Sequence, residues 1–220
     1  QTKKDISLFD QLFGLYTDVK ARMEEWKLLQ FTEVVALIDD MTATMDNFAL
    51  RCKKMPSRLR VFDAYKRLQA QISDFQIVLP LLQELSKISI MPRHWDELKE
   101  ITKSDFDQTA AEFKLQTVLE LKLEAVAEDV MEITDGADKQ LKIEKDLKEI
   151  DEIWKVREFA FKDWKTRAVP TLQATGALME ELEEAQMQLQ TMLTMRHVAP
   201  FREETQMQLA ALSDASDTLE

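Results

Sequence analysis

Apolar residues recur at seven-residue steps across residues 118–154, with polar residues filling most positions between them. One seam holds Leu119, Val126, Ile133, Leu147 and Trp154, and the alternating seam holds Leu123, Val130 and Ala137. Polar Gln140, Glu144 and Asp151 interrupt the later part of the pattern. A stripe of this period predicts one long helix that needs a partner helix along its length, with a bend or break at Gly136 as the open alternative. At 1.5 Å per residue, about 37 residues would span roughly 55 Å.

The N-terminal part of the chain has the three-and-four spacing of amphipathic helices. Apolar residues step in this way from Ile6 to about Leu50, which predicts one long helix or two helices in line. Pro56 ends this stretch and lies within a cluster of basic residues. The members of this cluster are Arg51, Lys53, Lys54, Arg58 and Arg60. They form either a binding patch for an acidic surface, or the ordinary solvated end of one helix and the start of the next.

Two further helices follow. Apolar spacing predicts a helix over residues 58–89, in which Pro80 should cause a kink or a division. Pro92 suits the first position of a short helix that runs to about Ile101.

The character of the chain changes after Trp154. Residues 159–164 (FAFKDW) are aromatic with a period of two at their start, and residues 169–175 are β-tolerant, so we expect a small antiparallel hairpin. Helix returns from Ala177 and ends near His197, and another helix begins at about Pro200. The predicted fold class is mainly α, an elongated bundle of long amphipathic helices with one small β-hairpin near residues 156–175.

Composition narrows the classes of function. The net charge of −12 disfavours nucleic acid and anionic membrane as partners, so we expect neither. Only three glycines occur in 220 residues, and none of them opens a phosphate-binding loop. The single cysteine, Cys52, cannot form an internal disulfide. His94 and Glu97 lie one turn apart, which is typical of a helix-surface or capping contact, because a metal site needs three or four ligands. We therefore predict no catalytic, cofactor-binding or metal site.

Three segments, taken in order, resemble the N-terminal part of the linker region of dynein heavy chains. They are residues 91–98 (MPRHWDEL), residues 127–154 and residues 189–204 with their LQTMLTM and APFREE elements. Within the second segment the resemblance rests on Ile143, Glu144, Leu147, Ile150 and Trp154, and within the third on Pro200 and Phe201. The resemblance covers roughly residues 74–219. One departure is Gln208, where many relatives carry a tryptophan.

The resemblance implies a mechanical, non-catalytic segment of a longer motor. Residues 1–73 would be C-terminal tail or neck helices, and residues 74–220 an incomplete N-terminal part of the linker. ATP and Mg²⁺ would bind in the AAA+ ring elsewhere in the heavy chain, and microtubules would bind through the parent protein. The remaining implied partners are other dynein heavy, intermediate and light chains. The sequence of residues 91–95 is more similar to that of axonemal, outer-arm heavy chains than to that of cytoplasmic ones. This similarity implies a place in a cilium or flagellum.

Several residues are candidates for structural or interface roles. Arg93, His94 and Trp95 are expected to fix the junction of tail and linker, although Trp95 as an ordinary core residue is an open alternative. Trp154, Phe159 and Phe161 are expected to hold the hairpin on the long helix. A different function class, a spectrin-like helical scaffold that only binds partners, explains the heptads and the acidity but not the three segments together.

Overall fold

A computed structural model describes residues 2–110, 113–158, 160–163, 165, 170–172 and 175–219. Its α-helices are α1 (Thr2–Lys27), α2 (Phe31–Lys53), α3 (Asp63–Leu85), α4 (Pro92–Thr102), α5 (Leu115–Glu120), α6 (Ala127–Lys155), α7 (Thr175–Thr194) and α8 (Arg202–Leu219). Short 3₁₀ turns lie at Leu59–Val61, Leu123–Val126 and Arg196–Phe201. The predicted mainly α fold is confirmed.

The chain divides into two compact units, Gln1–Ala137 and Asp138–Glu220. The division falls within α6, one residue after Gly136. The boundary expected from the resemblance, between residues 73 and 74, lies instead inside the continuous helix α3. The compact units therefore do not follow the tail-and-linker division, which remains a prediction.

In the first unit, α1 and α2 fold back on each other instead of running in line. Residues 28–30 form the connection, and the Asp18 carboxylate meets the Arg51 guanidinium at 2.9 Å. An ion pair this exposed adds little stability. Burial of apolar residues between the helices contributes more, and the residues concerned include Leu12, Leu15, Val19, Val34, Met41 and Met45.

Helix α3 folds back on α2 and completes the core. The Gln76 amide donates to Asp46 at 2.7 Å, and the rings of Trp26 and Phe75 stack at 5.5 Å. Pro80 lies inside α3 on its exposed side and does not divide the helix. Pro92 is the first residue of α4, so the start predicted for that helix is confirmed.

The prediction of one long helix over residues 118–154 is wrong, and the interruption lies before α6 and not at Gly136. Helix α5 ends at Glu120, and Lys122 adopts a left-handed backbone conformation (φ 53°, ψ 50°) that no α-helix can contain. The chain then makes a 3₁₀ turn, and α6 begins at Ala127. The break lets Leu123, together with Val118 before it, lie fully buried in the core of the first unit. The seven-residue spacing of apolar residues thus continues across the break between α5 and α6. Periodicity alone does not reveal such a break.

The predicted hairpin is confirmed. Strands β1 (Phe161–Asp163) and β2 (Pro170–Leu172) pair antiparallel, with Phe161 opposite Leu172.

In the second unit, α7 and α8 pack together with the C-terminal half of α6. Leu189 of α7 is fully buried, as is Thr205 of α8, whose hydroxyl donates to the Phe201 carbonyl at 2.7 Å. The buried cluster consists of Leu147, Ile150, Ala185, Leu189, Met192 and Leu212.

The left-handed corner can be tested by the change Lys122→Gly. A non-glycine residue in this conformation costs about 1–2 kcal/mol, and after glycine's own conformational cost we expect a net gain of about 0.5–1 kcal/mol in the free energy of unfolding. Urea titration followed by circular dichroism measures it. Lys54 caps α2 with ordinary right-handed φ, so Lys54→Gly should not stabilise the chain. Equal effects of the two changes would contradict the prediction.

Candidate functional site

Four aromatic rings form a cluster in the first unit, which we call the Trp95 cluster: Trp95, Phe106 and Phe113 are buried, and Phe31 is half-buried. The indole of Trp95, 8% exposed, meets the rings of Phe31, Phe106 and Phe113 edge to face at centroid distances of 5.6, 6.1 and 5.7 Å respectively. Phe106 and Phe113 stack on each other at 5.6 Å. Such pairs add about 0.5–1.5 kcal/mol each beyond the area they bury. The cluster joins the start of α2, helix α4 and the segment before α5.

Backbone hydrogen bonds reinforce the same junction. The Phe31 amide donates to the Phe113 carbonyl at 3.1 Å, and the Leu115 amide donates to the Leu29 carbonyl at 3.0 Å. Gln30 and Lys114 are thereby paired in an isolated antiparallel bridge. This bridge satisfies backbone groups at the α1–α2 connection and at the start of α5, where helices leave them unpaired.

His94 serves the same region by capping α4. Its Nδ1 accepts a hydrogen bond from the Met91 amide at 3.0 Å, and its side chain is 1% exposed. An accepting Nδ1 places the proton of the neutral ring on Nε2. The capping contact expected for His94 is therefore present, and Trp95 beside it is a core residue. Arg93 is half-buried. Whether these three residues fix a tail–linker junction remains a prediction.

A second set of contacts holds the segment between α4 and α5. The Asp107 carboxylate accepts from the Thr109 amide at 2.8 Å and from its hydroxyl at 2.6 Å. These bonds favour the ionised carboxylate and lower the pKa of Asp107. The Lys99 ammonium lies 5.5 Å from the centre of the Phe106 ring, in a cation–π contact. The Asp107–Thr109 turn and the Lys99–Phe106 contact hold in place the segment that brings Phe106 and Phe113 into the Trp95 cluster.

The candidate residues of the second unit differ in their placement. Ile143 is buried, whereas Glu144 at the surface pairs with Lys148 at 2.8 Å. This pairing raises the pKa of Lys148. Phe201 is half-buried against the cluster around Leu189, and Pro200 is exposed.

The proposed hairpin anchors are only partly supported. Trp154 is half-buried and packs against the cluster of α6, α7 and α8. Phe161 is 63% exposed, so the expectation that its ring anchors the hairpin is wrong. In a strand, successive side chains point to opposite faces. The side chains of all three β1 residues are exposed, so neither face of β1 is buried. Phe159 lies outside the described residues.

Gln208, where the resemblance departs, lines a groove on α6 and α8. Trp154, Ile150 and Leu212 line the same groove. The Gln208 Oε1 atom is buried, and no described residue donates a hydrogen bond to it. An unsatisfied buried acceptor of this kind costs about 1–3 kcal/mol.

Two kinds of chemical group among the described residues bear on reactivity, the possible metal ligands and the single cysteine. Across these ranges, no group of three or more His, Cys, Asp and Glu side chains could hold a metal ion. Cys52 is buried, and this burial raises the pKa of its thiol, which disfavours the reactive thiolate. Among the helices described, none combines the length and the apolar character needed to cross a membrane.

Comparison with known proteins decides the family. The family model "Dynein heavy chain, N-terminal region 2" matches residues 1–220. The chain belongs to the dynein heavy chains. The match covers residues 1–73 as well as the segments that carried the resemblance.

The relatives of this dynein segment include axonemal proteins. It is 34% identical over 222 residues to the "Dynein gamma chain, flagellar outer arm" of Chlamydomonas reinhardtii, covering 100% of this chain and 5% of that one. It is 29% identical to the human "Dynein axonemal heavy chain 8", with the same coverage. To the "Dynein beta chain, ciliary" of Tripneustes gratilla it is 30% identical over 202 residues, or 92% of this chain and 4% of that one. The chain thus spans about a twentieth of its relatives' length.

The Trp95 cluster predicts a stability difference between two tryptophans of the dynein segment. Trp95→Ala should cost about 3–5 kcal/mol of unfolding free energy, because a buried ring leaves a cavity. Trp154→Ala should cost less, because its indole is half-buried. Urea unfolding of both variants gives the comparison. A larger loss for Trp154→Ala would show that the Trp95 cluster is not the main support.

The unpaired amide oxygen predicts a stabilising change. Gln208→Leu removes the buried acceptor and places an apolar side chain of similar size in the groove that Trp154 also lines. The free energy of unfolding should therefore rise by about 1 kcal/mol. Gln206, two residues earlier in α8, is exposed and provides the matched control. Thermal unfolding should show a higher melting temperature for Gln208→Leu and no increase for Gln206→Leu. A decrease for Gln208→Leu would show that the amide is satisfied.

Proposed function

We propose that this segment is a mechanical element that links the dynein tail to the AAA+ motor ring and transmits the ATP-driven power stroke. The match of the dynein family region to the whole chain carries the proposal. In this proposal residues 1–73 belong to the end of the tail, and residues 74–220 to the N-terminal part of the linker. The segment itself has no catalytic role, and the parent heavy chain is the microtubule motor ATPase.

The described packing supports a force-bearing role. A lever must resist melting under load, and close-packed helices resist it better than loops do. The Trp95 cluster locks three segments that lie up to 82 positions apart in the sequence, from Phe31 to Phe113. The paired backbone at Gln30 and Lys114 adds direct hydrogen bonds across the same junction. Both features oppose the separation of α1 and α2 from the chain that follows them.

Membership of the dynein heavy chains also supports a proposed assembly context. ATP and Mg²⁺ belong to the motor ring of the parent protein, outside this segment. The partners are the rest of the heavy chain, other dynein heavy, intermediate and light chains, and the microtubule through the parent protein. The printed names of the relatives, "flagellar outer arm", "axonemal" and "ciliary", support a place in the axoneme.

The mechanical role can be tested in the assembled dynein by the change Trp95→Leu. This change loosens the cluster while retaining an apolar side chain. Residues that couple two sites shift the coupling by about 0.5–2 kcal/mol, so microtubule-gliding velocity should fall by about twofold or more. ATP hydrolysis should stay close to that of the unaltered motor, because the proposed ATP sites lie elsewhere. Gliding assays and phosphate release measure the two quantities.

The exposed aromatic Phe62 supplies a control for surface effects. Phe62 is 44% exposed and lies outside the Trp95 cluster, so Phe62→Leu should leave gliding velocity unchanged. A scaffold role predicts another pattern for Trp95→Leu, in which subunits are lost from the complex but assembled motors glide at full velocity. That pattern would refute the mechanical proposal.

A further inference from the structure

An apolar groove runs along α6 and α7 within the second unit. Its volume is about 600 Å³, and the buried side chains of Ile150 and Met192 contribute to its lining. Ile153, Met187 and Met195 line it as well, although each is well exposed to solvent. Adjacent exposed apolar side chains of this size are typical of interaction surfaces.

The charged residues that line the groove are all acidic. They are Asp146 and Glu149 on α6 and Glu184 on α7. The ion pairs found in the described part of this unit use other carboxylates, those of Glu144, Asp151 and Glu181. The groove therefore combines an apolar lining with three carboxylates that lie outside those ion pairs.

We propose that this groove docks an amphipathic helix with basic edges, supplied by another polypeptide. The apolar face of such a helix would cover Ile153 and Met187, and its lysine or arginine side chains would meet Asp146, Glu149 and Glu184. Helices bind helical grooves through apolar residues spaced three and four apart. Methionine suits such a surface, because its unbranched, polarisable side chain adapts to different partners.

The dimensions of the groove fit a helix. On this side its lining runs from Glu184 of α7 to Met195, the residue directly after α7, which is about three helical turns or roughly 16 Å. The two walls are themselves helices, so they offer ridges and grooves for packing a third helix. Addition of a strand would instead require an unpaired sheet edge, and both walls here are helical. The negative charge disfavours nucleic acid or an anionic membrane as the occupant.

Binding of a defined probe to the 220-residue chain tests the apolar part of the proposal. The probe is a fluorescent 14-residue peptide of leucine and lysine, with leucines on one helical face and lysines along both edges. Fluorescence anisotropy should show saturable binding, and Met187→Lys should weaken it about tenfold or more, because it places like charge in the groove. Met207 on α8 is similarly exposed, at 73% against 67% for Met187, and does not line the groove. Met207→Lys should therefore leave the affinity nearly unchanged.

The carboxylates are tested by a second pair of variants that conserve side-chain size. Glu149→Gln should weaken binding about two- to threefold and reduce its dependence on salt, as expected for a partly exposed charge pair. Glu152 is exposed on α6 outside the groove, so Glu152→Gln supplies the matched control. Circular dichroism verifies that each variant keeps its helix content, and the glutamine pair remains informative if Met187→Lys unfolds.

Three results would overturn the proposal. Equal binding of a peptide with the same composition but no amphipathic order would show attraction by net charge alone. Equal weakening by Met187→Lys and Met207→Lys would place binding outside the groove. Self-association of the chain that Met187→Lys abolishes would show that a second copy, and not a basic helix, fills the groove.

Discussion

The packing of Trp95 against Phe31, Phe106 and Phe113 is the contact on which the first unit most depends. Together with the backbone pairing of Gln30 and Lys114, it joins the start of α2 and helix α4 to the segment before α5, which is polar in sequence. Ordering such a segment costs conformational entropy, which burial of aromatic rings must offset. His94 supports the arrangement by capping the helix that carries Trp95. In the proposed mechanical role, the resistance of the first unit to load would be concentrated at this cluster.

The two units achieve stability by different means. The first buries apolar side chains of three helices together with the Trp95 cluster, and its backbone is paired at Gln30 and Lys114. The second relies on a smaller cluster around Leu189, leaving Trp154 half-buried and Met187 exposed. A smaller core buries less surface and leaves more apolar area at the surface. An open groove in the second unit follows from this difference.

Periodicity and proline position predicted most of the helices, and the α4 start at Pro92 and the hairpin of β1 and β2 were correct in detail. These features depend on local sequence. The corner at Lys122 escaped prediction, because lysine is a good helix former and only tertiary burial of Leu123 favours the break. The folding back of α2 on α1 was equally hidden, since spacing along a helix does not encode its direction in space.

The candidate site shows the same limit. Trp95 and His94 stood out in the sequence because of their family-like context, and both proved to be buried. Their partners were missed: Phe106 and Phe113 are isolated aromatics in or beside a polar connector, and Phe31 lies in the stretch predicted as one helix or two helices in line. That isolation was the available signal, since a large apolar side chain in a polar segment usually packs against something distant.

Scarcity of glycine has a consequence for the denatured ensemble. With only three glycines in 220 residues, the unfolded chain can adopt fewer backbone conformations than a glycine-rich chain of the same length. Less backbone entropy is then lost on folding. Part of the stability of this dynein segment therefore comes from the restricted backbone conformations of its unfolded state.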